Sequence, residues 1–313
     1  MRSVRVFRLF RIFAVQSSLS DLGMTDTIIE QKHNELMTFI QQEVINEPAV
    51  QAVIAIGSVA TGLARPGSDI DAVVFLDPVD LYAIPAEFQW RPEDDSFHGI
   101  FSEVEGAVQF DFKRLDLAEW SQPSFEWPEP LRAELSDGWV AFDRPGTIKA
   151  LVVERTVFTD TIRQARLDEA LVQLDQLLAS NKARQTWETL GPAIAHDRLN
   201  AAYDELVRAL FAYNRRWRPW RSREMSSLLR LPWLPGQFRE QLLTALNAPG
   251  LDEAGFMARV TVLTQCFEAL MAQLIADGLY GQDVIGEAFI RQHDEPGRDW
   301  NIEEWVRVHR QRN

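Results

Sequence analysis

The sequence predicts an α/β protein of the α+β type, with a mixed β-sheet and flanking helices in the N-terminal half and an all-helical region after it. Two observations lead to this prediction. Short apolar runs separated by glycine, proline and polar turns recur up to about residue 143, and such runs are typical of buried strands. From residue 147 onward, longer segments with apolar residues at helical spacing dominate, which is typical of packed helices.

Length and composition are those of an ordinary globular chain. The 313 residues are 46% hydrophobic and 25% charged, which allows one large domain or two of ordinary size. No apolar run approaches the roughly 20 residues that span a bilayer, so we expect a cytoplasmic protein without a membrane partner. The single cysteine, Cys266, excludes an intramolecular disulfide and an all-cysteine metal site. We expect it to be a small buried residue in a helix, in a reducing compartment.

Composition divides the chain into three parts. Residues 1–23 are rich in arginine, with no acid before Asp21, and we expect a disordered leader or an over-long start. A transit-type presequence is the alternative, although arginines three residues apart drift around a helix instead of lining one face. Residues 24–146 form the predicted α/β domain, and residues 147–313 form the predicted helical domain.

The predicted elements follow from capping residues, apolar runs and turn residues. The α/β domain is predicted to contain helices at 25–47 and 59–64 and strands at 50–56, 69–76, 97–104, 107–115 and 139–143. Strands 97–104 and 107–115 are predicted to form a hairpin, and residues 77–96 a loop. Five helices are predicted in the helical domain, at 147–180, 183–214, 237–247, 252–278 and 282–290.

Two aspartates interrupt the apolar strand 69–76. Asp69 and Asp71 are one residue apart, so both carboxylates lie on one face of the strand. Burying two unpaired carboxylates is costly, and a cation such as Mg²⁺, which prefers carboxylates together with substrate phosphates, relieves that cost. Upstream, Gly57 and Ser58 break the preceding strand and supply N–H groups and a hydroxyl that can hold phosphate oxygens.

The strand 107–115 offers a third carboxylate. Its apolar residues alternate with Gln109, Asp111 and Lys113, so Asp111 lies on the polar face. If this strand pairs beside 69–76, Asp111 joins the other two aspartates. Three acids beside a phosphate-holding turn fit two-metal phosphoryl or nucleotidyl transfer. The alternatives for the third acid are Glu103, Glu105 and Asp116.

The stretch "GSVATGLARPGSDIDAVVF" (57–75) resembles the signature of the DNA polymerase β-type nucleotidyltransferase superfamily. It has Gly-Ser, a spacer of ten residues, Asp-x-Asp in an apolar strand, and a further Asp on a later strand. The resemblance covers roughly residues 50–115. The helical half, with "LFAYNRRWRPWRSRE" (210–224), is similar to that of small stand-alone members such as the aminoglycoside nucleotidyltransferases. A P-loop is excluded, because Gly57 is not followed by the Gly-Lys-Ser/Thr that it requires.

The resemblance implies a role for each matching residue. Gly57 and Ser58 would bind the β- and γ-phosphates of a nucleoside triphosphate. Asp69 and Asp71 would bridge two Mg²⁺ ions, and Asp111 would bind the metal that activates the acceptor and help take its proton. The implied reaction moves a nucleoside monophosphate, which we expect to be AMP from ATP, onto a hydroxyl and releases pyrophosphate.

The acceptor is expected to be a small molecule. The formal net charge of −14 argues against general nucleic-acid binding, which depends on basic surface. Two alternatives stay open. AMP could be transferred to a protein hydroxyl, as in AMP-transferring toxin–antitoxin systems. The chain could also be a non-catalytic nucleotide sensor, although such a protein would usually lack one of the acids.

One basic segment departs from the acidic average. Residues 198–230 contain eight arginines against three acids, a local net charge of +5. They are either a solvated helix face or an anion site such as a triphosphate pocket. The candidates for phosphate binding are Arg215, Arg216 and Arg221.

Overall fold

The first described helix begins earlier than its sequence pattern predicts. A computed structural model describes residues 19–312 of the chain apart from residues 103, 249 and 296. Residues 1–18 of the predicted leader lie outside the described residues, and its residues 19–23 belong to the first helix. Helix α1 is Leu19–Phe39, so the start predicted near Thr25 is wrong, and one π-helical turn, Ile40–Val44, continues it.

The N-terminal half forms one mixed sheet with short helices. After α1, the elements are β1 (Val50–Ala55), α2 (Gly57–Ala60), β2 (Ile70–Leu76), β3 (Glu87–Arg91), β4 (Ser96–His98), β5 (Val108–Asp116), α3 (Leu117–Trp120), α4 (Glu129–Ser136), β6 (Trp139–Asp143) and α5 (Ile148–Thr156). The strand order is β4-β3-β5-β2-β1-β6. β2 and β5 pair in parallel, whereas the other neighbours are antiparallel.

The predicted hairpin of 97–104 with 107–115 is wrong. β5 does lie where the sequence predicts a strand, but its neighbours are β2 and β3. The hairpin partner of β4 is β3, which falls in the stretch 77–96 predicted to be a loop. β3 is short and has prolines close to both ends, Pro85 and Pro92. Because proline usually marks loops and edge strands, the sequence pattern did not predict a strand here.

One face of the sheet is filled by aromatic side chains under α1. Phe39, fully buried, has its ring centroid 4.7 Å from that of Phe110 and 5.2 Å from that of Trp90. Phe88 and Phe112 complete the group at 5.4 and 5.7 Å. Because these residues come from α1, β3 and β5, their burial fixes three separate segments of the chain in one core.

The opposite face is covered over only part of its area. Phe75 of β2 is fully buried, and its ring lies 6.3 Å from Trp120 and 6.4 Å from Trp127. Two and four residues earlier on the same face, Val73 is buried but Asp71 is half-buried. The side chains that cover this face therefore extend over Phe75 and Val73 but only partly over Asp71, near the N-terminal end of β2.

Helices make up the rest of the described chain. They are α6 (Asp160–Leu178), α7 (Ser180–Leu190), α8 (Pro192–Tyr213), α9 (Arg221–Leu228), α10 (Phe238–Leu246), α11 (Glu253–Ala276), α12 (Val284–Gln292) and α13 (Ile302–Arg312), with a 3₁₀ turn at Asp299–Asn301. A mixed sheet with flanking helices followed by a helical part confirms the predicted fold class.

Two of the predicted long helices are each divided. Within 147–180, Thr159 caps α6 by accepting a hydrogen bond from the N–H of Ile162, so a new helix starts there. Within 183–214, Gly191 adopts a φ of +84° and Pro192 begins α8. The apolar spacing continues across both breaks, which is why periodicity alone did not reveal them.

The chain separates into two compact units. We call sheet unit the described residues up to Trp127 together with Glu134–Arg155, and helical unit the residues Pro128–Ala133 together with the described residues from Thr156 onward. The predicted domains, 24–146 and 147–313, stay predictions.

Two expectations about single features can be compared with the structure. Cys266 is buried in α11, as predicted, and burial raises the pKa of its thiol to about 11. None of the helices in the described range combines the length and the apolar character needed to cross a bilayer.

Replacing Phe39 by alanine should destabilise the sheet unit strongly. Its ring is fully buried among five aromatic neighbours, and deleting a buried phenylalanine costs about 3–5 kcal/mol. The urea midpoint of F39A, followed by near-ultraviolet circular dichroism, is therefore expected to fall. Tyr82, which is 99% exposed, gives the matched control, and Y82A should leave the midpoint unchanged. Equal midpoints for F39A and the wild type would show that the aromatic face does not carry this stability.

Candidate active site

The turn after β1 is shaped by contact with Asp71. Gly57 has a φ of +68°, and a Cβ placed on it would lie 2.1 Å from Oδ2 of Asp71. The N–H of Ile56 donates to the carbonyl of Asp71 over 2.9 Å. Only glycine accepts both the left-handed backbone and the close carboxylate, so the Gly-Ser motif and the Asp-x-Asp motif meet at one contact.

The same turn leaves N–H donors available. The carbonyl of Gly57 accepts from the hydroxyl of Thr61 at 2.8 Å, and the carbonyl of Ser58 accepts from the N–H of Leu63 at 2.8 Å. No side chain caps α2, and the N–H groups of Gly57 and Ser58 have no acceptor within the described residues. An anion could therefore accept from these donors and from the half-buried Ser58 hydroxyl.

The register of β2 and β5 aligns two of the predicted acids. Asp71 is paired with Asp111 in the parallel ladder. The residues that precede them, Ile70 and Phe110, are also paired, and their side chains are fully buried on the opposite face. The two strands are therefore neighbours, which is the condition under which Asp111 joins the other aspartates. Register partners project to the same face of a sheet, so both carboxylates belong to the partly uncovered face. Asp69 directly precedes β2 and is half-buried.

The alternative third acids are placed differently. Asp116 is the last residue of β5, five positions beyond Asp111, and its carboxylate accepts from the N–H groups of Ala118 and Glu119 as the cap of α3. Glu105 is exposed in the turn before β5, and Glu103 lies outside the described residues. The register therefore favours Asp111 as the acid level with Asp71.

A fourth carboxylate, that of Glu87, lies beside Asp111 and was missed from the sequence. We call Asp69, Asp71, Asp111 and Glu87 the carboxylate row. Glu87, the first residue of β3, is paired with Asp111 on the side away from β2. It could not be anticipated, because β3 itself was not predicted. The carboxylates of Asp69, Asp111 and Glu87 have no hydrogen-bond or ion-pair partner in the part of the chain that the structure describes. Like charges on facing strands repel, so this face favours a cationic ligand.

The donor set fits Mg²⁺ in its chemistry. Carboxylate oxygens are the protein ligands that Mg²⁺ prefers, and it takes few of them, completing its octahedron with water and phosphate oxygens. The side chains as they stand do not form a finished cage: within residues 19–312, apart from the three positions not described, no group of three His, Cys, Asp or Glu side chains is placed to hold a metal ion. Metal binding by Asp69, Asp71 and Asp111 therefore stays a prediction.

The predicted phosphate-binding arginines all lie in the helical unit. Arg215 pairs with Asp160, and Arg221 pairs with Glu224 while its side chain remains 70% exposed. Arg216 follows Arg215 between α8 and α9, and its N–H donates to the carbonyl of Phe211. Their role toward a nucleotide stays a prediction.

Arg218, an arginine of the same segment that was not a candidate, is also paired with acids. Its guanidinium pairs with Asp204 and Glu224, and its N–H donates to Glu129 over 3.0 Å. Burial by itself would lower the pKa of Arg218, but the hydrogen bonds to the two carboxylates raise the pKa above its ordinary value. A cleft of about 530 Å³ in the helical unit is lined by Arg218, Trp220 and seven further residues. The arginine-rich stretch thus serves, at least in part, to join helices.

Comparison with known proteins gives one family match. Residues 35–124 match a model of the nucleotidyltransferase domain family. The match spans Gly57, Ser58 and the three aspartates and ends before the arginine-rich stretch. No curated protein matches the chain at a significant level.

The chain is also similar to a solved structure, that of a nucleotidyltransferase-like protein from Exiguobacterium sibiricum. The TM-score is 0.40, 12% of the residues are identical, and the alignment covers 88% of each chain. A likeness of this degree carries no weight for function.

Replacing Gly57 by alanine should damage the turn without unfolding the chain. The added Cβ would collide with the Asp71 carboxylate, and a left-handed backbone costs a non-glycine residue about 1–2 kcal/mol. We expect G57A to stay folded, with a lowered thermal midpoint, and to lose affinity for magnesium nucleotides, measured by isothermal titration calorimetry. Gly67, which has a φ of +81° but no neighbour within 4 Å of a Cβ, gives the control. If G57A and G67A bound nucleotide equally well, the contact with Asp71 would have no bearing on binding.

Proposed function

We propose that the chain, whose residues 35–124 match the nucleotidyltransferase domain model, is a Mg²⁺-dependent nucleotidyltransferase. The enzyme would transfer a nucleoside monophosphate, with AMP as the expected group, from a nucleoside triphosphate to a hydroxyl of a small molecule. Pyrophosphate is the second product. The observation that carries the proposal is the alignment of Asp71 with Asp111 on adjacent parallel strands, with Gly57 packed against the Asp71 carboxylate.

The Gly57–Ser58 turn is suited to hold the phosphates that leave. Its two backbone N–H groups have no acceptor within the described residues, and the Ser58 hydroxyl adds a third donor. Such donors bind phosphate oxygens and keep the triphosphate in one orientation. The β- and γ-phosphates are the proposed ligands of this turn.

The carboxylate row is suited to the reacting end of the nucleotide. Asp69, Asp71 and Asp111 would hold Mg²⁺, whose contribution when bound is to lower the pKa of the acceptor hydroxyl and to offset phosphate charge. In the transfer, the acceptor oxygen forms a bond to the α-phosphorus and the bond from that phosphorus to the pyrophosphate oxygen breaks. Asp111 takes the proton of the hydroxyl, since it lies on the side of Asp71 away from β1 and the phosphate-holding turn.

The acceptor class follows from charge. The formal net charge of −14 and the carboxylates beside Asp111 disfavour a polyanionic acceptor such as RNA, because the protein would repel it. A protein hydroxyl remains the alternative acceptor, with the same chemistry at phosphorus. Labelling of a partner protein instead of a small molecule would identify that alternative.

Removing one aligned acid should abolish turnover. Incubation of the chain with each of the four nucleoside triphosphates, Mg²⁺ and a panel of polyhydroxylated small molecules should release pyrophosphate. D71N and D111N should lower the rate roughly 100-fold or more, because charge stabilisation at the transferred phosphorus is lost. Chelation of Mg²⁺ should have the same effect on the wild type.

Asp116 provides the matched control for Asp111. It lies on the same strand but caps α3, and asparagine caps a helix about as well as aspartate. D116N should therefore keep both its thermal midpoint and its activity. Loss of turnover in D116N with full activity in D111N would overturn the assignment of the third acid. Nucleotide binding without pyrophosphate release for any acceptor would point to a sensor instead.

A further inference from the structure

One lysine stands beside the carboxylate row. Lys113 lies on β5 two residues after Asp111, so both side chains project to the same face of the sheet, and its register partner on β2 is Val73. It is one of only four lysines in the chain. The next residue of β2 on that face, Phe75, lies under Trp120 and Trp127. Lys113 thus marks the border between the covered apolar half of the face and its acidic half.

A buried carboxylate holds this lysine in place. Nζ of Lys113 donates to Oε2 of Glu134 over 2.7 Å, and both residues belong to the sheet unit. The Glu134 side chain is only 6% exposed, whereas that of Lys113 is 39% exposed. The glutamate is therefore largely removed from water, while the lysine side chain remains partly exposed.

The ammonium has donors to spare. An ammonium group carries three N–H donors, and Glu134 is the single acceptor that Lys113 has in the described part of the chain. An ion pair with a buried partner is a weak source of stability, because removing the carboxylate from water offsets much of the attraction. What the pair does provide is a cation whose flexible side chain is held in one position before any ligand arrives.

We propose that Lys113 binds the α-phosphate of the nucleotide, the phosphate nearest the carboxylates of β2 and β5, and that Glu134 is the positioning residue that keeps its ammonium over the sheet face. The inference rests on the proposed function and adds a residue to that site. A triphosphate brought next to Asp71, Asp111 and Glu87 meets strong repulsion. A fixed positive charge on the same strand as Asp111 offsets part of it, both for the bound triphosphate and for the charge that develops as pyrophosphate leaves.

Nucleotide affinity in the absence of an acceptor tests the proposal. The probes are the α,β-methylene analogues of the four nucleoside triphosphates, which resist transfer, titrated with Mg²⁺ into the full chain by calorimetry. K113M should weaken the best-bound analogue about 10-fold or more, as expected for loss of a charge-assisted contact. K113R should restore most of the affinity. E134Q should lie between the wild type and K113M, because the ammonium remains but is no longer held.

A control variant and a second measurement separate this role from a structural one. Lys149, an exposed lysine at the start of α5 in the same unit, gives K149M, which has the same change in net charge and should bind like the wild type. Urea midpoints are recorded for all variants. If the pair only anchors α4, K113M and E134Q will lose stability to a similar extent and bind the analogue as the wild type does, and this result would overturn the proposal.

The failure of the proposed function would look different. If the wild type bound none of the four analogues in the presence of Mg²⁺, the nucleotide site itself would be refuted, and the role of Lys113 with it. If K113M did not fold, the affinities of K113Q and K113R for the analogue would be compared instead. Equal affinity of these two variants refutes a phosphate contact, whereas binding retained only by arginine supports it.

Discussion

The contact between Gly57 and the Asp71 carboxylate is the constraint from which the candidate site follows. Because a Cβ at Gly57 would lie 2.1 Å from Oδ2 of Asp71, the chain can leave β1 beside that carboxylate only through glycine in a left-handed conformation. The hydrogen bond from Ile56 to the carbonyl of Asp71 keeps the two segments together. One turn therefore brings phosphate-type donors next to a carboxylate, although the two groups are 14 positions apart in the sequence.

The sheet face around this contact is divided by charge. Its apolar half is covered by aromatic side chains, and its other half carries a row of acids from three neighbouring strands, Asp71, Asp111 and Glu87. Such a row lowers the stability of an isolated chain. A bound cation would offset this repulsion, which is the physical basis of the proposed Mg²⁺ site. The ion pair of Lys113 with Glu134 stands at the border of the two halves.

The arginine-rich stretch shows that a local excess of positive charge does not by itself locate an anion site. A net charge of +5 over residues 198–230 suggests an anion site, but Arg215, Arg218 and Arg221 pair with Asp160, Asp204 and Glu224. Asp204 and Glu224 belong to the segment itself, whereas Asp160 lies in α6, earlier in the sequence. Arginines in a folded chain can pair with acids from the same segment or from other segments. The net charge of a short stretch of sequence therefore does not show how many of its arginines are exposed or unpaired.

The sequence alone determined the bounds of several strands and the residues of the two motifs, because these depend on neighbouring residues only. The bounds of β1, β2 and β6 follow apolar runs between turn residues, and the motif residues Gly57, Asp69 and Asp71 could be recognised from spacing alone. Pairing needed the tertiary structure. The partner of β5, the existence of β3, and with them the alignment of Asp111 with Asp71 and Glu87 depend on contacts between residues 18 to 40 positions apart. Neither a period of two nor a period of 3.6 encodes which strand lies next to which, because that choice is made by burial of a shared core.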